Sequence, residues 1–148
     1  MTSPHVKDSR ASKIPAIADT GYIVALLRRE DEYHPWATAL AVELQQPLLT
    51  CEAVLAEAAF HLQSSADVLR MLQREALRLS FDCSAHVQQI YALAVRYADR
   101  HPDLADLCMI RMSELYPRHS IVTVDEQDFR VYRRNKREAI PLICPPNE

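Results

Sequence analysis

Apolar residues fall along this chain in short runs and in helical spacings, and the alternation of the two predicts an order of strands and helices. Ile14 to Ala18 is a short apolar run suited to a buried strand, and it ends in Asp19-Thr20-Gly21. Tyr22 to Arg28 bunches its apolar residues as a helix does. Glu32 to Gln45, with Trp36, Leu40 and Leu44 at intervals of four, predicts a second helix. Pro47 to Thr50 reads as another short strand, followed by the helical pattern Val54, Leu55, Ala58, Ala59, Leu62. Ser64 or Ser65 caps the next helix, which is expected to run to about Leu77 and to turn Val68, Leu69, Leu72 and Leu77 inward. Arg78 to Phe81 then predicts a third strand. A helix from Ser84 extends towards Pro102, whose ring and missing N–H force a break, and a fresh helix takes Asp103 to Tyr116. His119 to Val124, with the β-branched run Ile121-Val122-Thr123-Val124, is the clearest strand, and Ile140 to Ile143 supplies a fifth behind a basic segment.

Short strands without strict alternation, separated by helices, predict a parallel sheet covered on both faces. The expected fold is a three-layer α/β/α sandwich with a mainly parallel central sheet of about five strands. The 148 residues, 49% hydrophobic and 25% charged, suit one domain with a substantial core. Residues 1–13 are expected to be a polar, flexible tail and 14–148 a single domain. No apolar run approaches the roughly 20 residues that span a bilayer, and Met1 to Ser12 lacks the apolar centre of a signal peptide. The expectation is a cytoplasmic protein with no membrane partner.

The single glycine, Gly21, excludes glycine-rich phosphate loops of the Walker A or GxGxxG kind. A formal charge of −3, from 17 basic and 20 acidic residues, argues against broad electrostatic coating of nucleic acid and leaves room for a local basic patch. The four cysteines contain no CxxC pair and read as reduced thiols packed in a core.

The acidic residues carry the chemistry. Asp19 and Asp125 each follow a predicted strand, so both belong at the carboxyl edge of a parallel sheet, where such sheets bind ligands. Glu57 lies near an apolar helix face, with Val54 three residues before it and Phe60 three after. Asp103 and Asp106 share one face of another helix, and Met109 and Ile110 continue the stripe beyond Asp106. Like charges about 4 Å apart repel by roughly 4 kcal/mol at an effective dielectric near 20, so carboxylates gathered near a core need a cation. No lysine or arginine interrupts these motifs, and an all-oxygen donor set suits Mg²⁺ or Mn²⁺ rather than Zn²⁺. Taken singly, each residue also has a structural reading: Asp19 as an N-cap, Asp103 as helix-terminal charge, Asp125 as the start of a turn, Glu57 as the partner of an arginine from elsewhere. Asp128 and Glu52 are secondary candidates.

Four ordered blocks, Ala18-Asp19-Thr20-Gly21-Tyr22-Ile23-Val24-Ala25-Leu26, Leu49-Thr50-Cys51-Glu52-Ala53-Val54-Leu55-Ala56-Glu57, Asp103-Leu104-Ala105-Asp106 and Ile121-Val122-Thr123-Val124-Asp125-Glu126-Gln127-Asp128-Phe129, resemble a PIN domain of the VapC toxin type. The resemblance spans almost the whole chain after residue 13. It implies a Mg²⁺- or Mn²⁺-dependent ribonuclease with an acidic quartet at Asp19, Glu57, Asp106 and Asp125. Asp103 would be an accessory metal ligand and Thr123 a hydrogen-bonding neighbour. It further implies an RNA substrate, a homodimer and a small antitoxin partner. Leu107 departs from the small residue that relatives often carry there. The metal ions would activate a water in line with a phosphodiester, so no protein nucleophile is needed. That fits the lack of a Ser or Cys with a His base, and the six scattered histidines receive no role.

Substrate grip is assigned to Arg130, Arg133 and Arg134, with Lys136 and Arg137 in the same run; the alternative for these charges is a solvated turn. Arg28 and Arg29 are weaker candidates. Tyr22 and Trp36 offer rings for stacking, but helical spacing favours core packing for Trp36. Competing readings are a PIN nuclease outside toxin pairs, a catalytically silent adaptor that binds RNA or protein, and a metal-dependent phosphatase. The last lacks a DxDxT motif after the first strand.

Overall fold

A five-stranded, all-parallel sheet forms the centre of the computed structural model, which describes residues 12–147. Residues 1–11 of the expected tail lie outside the described residues; Ser12 and Lys13 are exposed. The chain builds β1 (Ala16–Ala18), α1 (Thr20–Leu27), α2 (His34–Ala41), β2 (Leu48–Thr50), α3 (Glu52–Leu62), α4 (Ser65–Gln73) and β3 (Leu77–Leu79). It continues with α5 (Val87–Arg96), α6 (Leu104–Leu115), β4 (Ser120–Val122), α7 (Glu126–Val131), β5 (Arg133–Arg134), β6 (Glu138–Ala139) and β7 (Leu142–Ile143). Short 3₁₀ turns occupy Cys83–His86 and Ala98–Arg100. The strand order is β3-β2-β1-β4-β7, and with helices flanking the sheet this is the expected α/β/α sandwich.

Every residue of β1 and β2 is buried, which is why their sequences are apolar runs and do not alternate. Ile17 sits opposite Leu49 on one side and Ile121 on the other. Ile17, Ile23, Val54, Met109, Ile110, Met112, Ile121, Val122 and Phe129 have no accessible surface and form the heart of the core. Helix α1 packs on both α2 and α3, α3 packs on α4, α5 packs on α6, and α6 reaches β1 and β4.

The second helix is shorter than the expected Glu32 to Gln45, spanning His34–Ala41 with Leu44 bridged to Ile14, and three further differences have local reasons. The fourth helix ends at Gln73, because Glu75 adopts a left-handed conformation (φ 58°) and the Ala76 N–H bonds back to the Met71 carbonyl at 2.9 Å. Leu77 is therefore the first, buried residue of β3 rather than the last inward residue of a helix. The segment from Ser84 to Pro102 is not one helix: Asp82 accepts from the Ser84 N–H (3.1 Å) and hydroxyl (2.7 Å), which favours a 3₁₀ turn before α5, and left-handed His101 (φ 50°) separates α5 from α6. The basic run after α7 is an antiparallel β5–β6 hairpin with Asn135 and Lys136 both at positive φ, an element the apolar pattern does not announce.

Gly21 has a steric purpose. A Cβ at this position would collide with the Val124 side chain, so the missing side chain lets the first turn of α1 lie against the segment leaving β4.

Candidate metal centre

The register Ala18↔Val122 makes the residues just past the two strands neighbours, and the Asp19 N–H extends the ladder to the Val122 carbonyl at 3.1 Å. The Thr123 hydroxyl donates to Asp19 Oδ2 at 2.6 Å and accepts from the Asp125 N–H at 2.9 Å. One buried hydroxyl thus fixes both strand-end aspartates. Thr20, the first residue of α1, donates its hydroxyl to Glu57 Oε2 on α3 at 3.2 Å. Asp103 is the N-cap of α6 and accepts from the Asp106 N–H at 2.8 Å, which places both carboxyls at one helix end. Tyr132, following α7, donates to Asp106 Oδ2 at 3.4 Å.

These elements enclose a cleft of about 570 Å³ lined by Asp19, Glu57, Asp103, Asp106, Asp125 and Asp128. All five residues expected at the site therefore share one wall system, drawn from four separate stretches of sequence. Glu52 does not join them and lines a different cavity. None of the five ion pairs found among the described residues involves a carboxylate of the cleft.

The electrostatics follow from burial first and from the crowding of like charges second. Burial raises the Asp19 carboxyl from 3.8 to about 6 against the opposing hydrogen bonds of Thr123 and Thr20, and repulsion from Asp125 and Glu57 adds to the rise. Asp106 goes up to about 8, through burial first and then the charges of Asp103, Asp19, Asp125 and Asp128. Glu57 is raised by burial and by Asp103, and Asp125 by burial and by Asp128. Each carboxylate is disfavoured by the others, so they act on one another through a common field.

Among the described residues no three His, Cys, Asp or Glu side chains converge tightly enough to be a ready-made metal cage. What suits a hard divalent ion is the donor chemistry: carboxylate and hydroxyl oxygens, crowded, desolvated and without a paired cation. Asp19, Glu57, Asp106 and Asp125 are the residues that could hold such an ion, with Asp103 beside them.

The arginines assigned to substrate grip sit elsewhere. Arg130 pairs with Glu126 at 2.6 Å, and Arg133 donates to the carbonyls of Arg130 (2.7 Å) and Tyr132 (3.1 Å). Arg134 is buried at 6% exposure and ties the carbonyls of Ser113 (3.2 Å) and Pro117 (3.1 Å) to Glu138 (2.5 Å). None of the three lines the cleft. Arg134 is a strut of the fold, because a basic run in sequence does not disclose which guanidiniums face inward. The cations that do line the cleft are Arg28, which donates to the His61 carbonyl, and Arg100, and His61 and His101 line it as well. Only Arg28 could be suspected from sequence; Arg100 and His101 depend on the 3₁₀ turn and left-handed residue before Pro102. Tyr22 and Trp36 pack edge to face at 5.8 Å, and the Tyr22 hydroxyl donates to the Ala37 carbonyl, so Tyr22 is a core residue rather than a stacking platform.

Among the described residues no helix is long and apolar enough to cross a membrane. A scan against models of protein families finds no match to this chain, and a search of curated proteins finds none either.

Proposed function

We propose that this protein is a metal-dependent endoribonuclease that hydrolyses RNA phosphodiester bonds, acting in the cytoplasm as the toxin of a VapC-like toxin–antitoxin pair. The observation that carries the reading is the cleft at the carboxyl edge of β1 and β4, whose gathered carboxylates take part in no ion pair found among the described residues. A stable fold has little reason to bring five acidic groups together without a cation in direct contact, since their mutual repulsion opposes folding. Bound Mg²⁺ or Mn²⁺ would lower the pKa of a coordinated water and stabilise charge on the phosphate and leaving oxygens.

The chain's own residues do the positioning. Thr123 holds Asp19 and the Asp125 backbone in one arrangement, Thr20 holds Glu57, and Asp103 fixes the first turn of α6 that carries Asp106. Preorganised ligands need no rearrangement at the moment of reaction. Arg28 and Arg100, which line the cleft, would meet phosphates that flank the scissile one, and the acidic residues would repel RNA unless metal is present. The homodimer and the small antitoxin belong to the same proposal and rest on the VapC resemblance.

The test is incubation of the purified chain with single-stranded RNA and Mg²⁺ or Mn²⁺, beside Asp19→Asn and an EDTA control. Cleavage is expected only in the metal-loaded wild type. Activity that survives both controls sinks the assignment. Growth arrest on expression, absent in Asp19→Asn, separates a toxin from an RNA-processing nuclease.

A further inference from the structure

Three of the four cysteines meet in a second cavity of about 470 Å³, although they lie far apart in sequence. Cys51 precedes α3, Cys83 begins the 3₁₀ turn after β3, and Cys108 is on α6. Cys51 and Cys108 are buried and Cys83 is exposed, so only part of the set is packed in a core as the sequence suggested. All three side chains border this one cavity, and Cys108 interacts with both of the others. The three are not arranged as a metal cage. A solvent-facing thiol leading to two sheltered ones is the arrangement of an oxidation site with resolving partners.

We infer that Cys83, Cys108 and Cys51 form a peroxide-responsive thiol site, in which a hydroperoxide oxidises exposed Cys83 and the oxidation is stored as an intrachain disulfide on Cys108. In the first step the Cys83 sulfur attacks hydrogen peroxide, the O–O bond breaks, and one oxygen stays as Cys83 sulfenic acid while the other leaves as water with the thiol proton. In the second, the Cys108 sulfur attacks the sulfenyl sulfur, an S–S bond forms, the S–O bond breaks, and a second water leaves with the Cys108 proton. Two thiols have lost two electrons and the peroxide has gained them. Exchange can then move the bond: Cys51 attacks Cys108, Cys83 leaves and takes up the Cys51 proton, with no net redox change. Their burial, at 2% and 1% exposure, shelters Cys51 and Cys108 from direct oxidation. The bond joins α6, two residues beyond Asp106, to a neighbouring segment, but the inference stands whether or not the acidic cleft is a nuclease site.

The experiment is titration of the full chain with hydrogen peroxide, followed by alkylation of remaining thiols, intact mass and peptide mapping. The expected result is loss of two hydrogens and an intrachain disulfide that includes Cys108, joined to Cys83 or, after exchange, to Cys51. In Cys83→Ser that bond is expected to fall at least tenfold at equal peroxide. In Cys108→Ala, checked for folding by circular dichroism, Cys83 should stop at a sulfenic acid that dimedone traps. Should Cys108→Ala fail to fold, Cys83→Ser alone decides. A bond on Cys108 that forms as fast in Cys83→Ser overturns the inference, as does a Cys83 that goes to sulfinic acid or cross-links two chains.

Discussion

Asp19→Asn should make the metal-free protein more stable while removing its response to metal. Asparagine keeps the size of the side chain and still accepts from the Thr123 hydroxyl, so the 2.6 Å bond and the cleft wall persist. What disappears is a buried charge. In the folded chain the Asp19 carboxyl is raised from 3.8 to about 6. Between those values the folded state holds a proton that the unfolded state has released, so stability falls as pH rises through the window and levels off above about 6. Each pH unit is worth about 1.4 kcal/mol, and a gap of about two units costs the wild type about 3 kcal/mol at pH 8 that it does not lose at pH 3.5. Urea denaturation of wild type and variant at both pH values measures this directly. At pH 8 without metal the variant should gain about 2–3 kcal/mol, roughly 4–12 °C in melting temperature for a chain of this size, and almost nothing at pH 3.5. Saturating Mg²⁺ should raise the wild-type midpoint at pH 8 and leave the variant unmoved. An asparagine variant less stable than wild type at pH 8, or equally stabilised at both pH values, would refute the claim that Asp19 is held against its own charge.

Other consequences can be checked separately. Gly21→Ala should destabilise by about 1–3 kcal/mol through the clash with Val124, and Val124→Ala in the same chain should recover most of it in thermal melts; no recovery would mean the glycine serves another purpose. Arg134→Ala should cost about 2–4 kcal/mol in chemical denaturation, because it strands the Ser113 and Pro117 carbonyls, whereas Arg130→Ala, an exposed pair with Glu126, should cost less than about 0.5 kcal/mol. Arg28→Ala and Arg100→Ala should each weaken binding of single-stranded RNA and reduce the salt slope by about 0.7, while Arg130→Ala and Arg133→Ala leave both unchanged in fluorescence anisotropy.

The sheet and the acidic cleft were legible in the sequence for the same reason. A strand buried on both faces must be an apolar run, and in a parallel sheet whatever follows such runs shares one edge, so Asp19 and Asp125 could be paired without coordinates. Asp106 was legible as a carboxylate on an apolar stripe that Met109 and Ile110 continue into the core, whereas Glu57 reaches the cleft although Phe60, one of the two apolar residues that marked its face, is 78% exposed. The rest depended on contacts that no local pattern encodes. Leu77 continues an apolar series, and only the left-handed turn at Glu75 moves it from helix to sheet. The strands β5 and β6 have two residues each, too few to show a period, so Arg130, Arg133 and Arg134 read alike although one is buried and two are not. Cys51, Cys83 and Cys108 come together across three elements, and their spacing in sequence carries no trace of it.

Asp103 is the residue for which structural and chemical roles overlap most, and two substitutions separate them. Its Oδ1 caps α6 through the Asp106 N–H at 2.8 Å, which by itself explains an aspartate at this position. Its charge also raises Asp106 and Glu57, which a mere cap has no need to do. Asparagine caps a helix about as well as aspartate, and alanine does not cap at all. Asp103→Ala should therefore lose about 1 kcal/mol of stability, whereas Asp103→Asn should lose none and gain slightly at neutral pH by relieving Asp106. If Asp103 also contributes to holding a divalent ion, both variants should bind Mg²⁺ more weakly by calorimetry, the asparagine without any loss of fold. Equal Mg²⁺ affinity in wild type and Asp103→Asn would reduce Asp103 to its cap, and the ion would then have to be held by Asp19, Glu57, Asp106 and Asp125 alone.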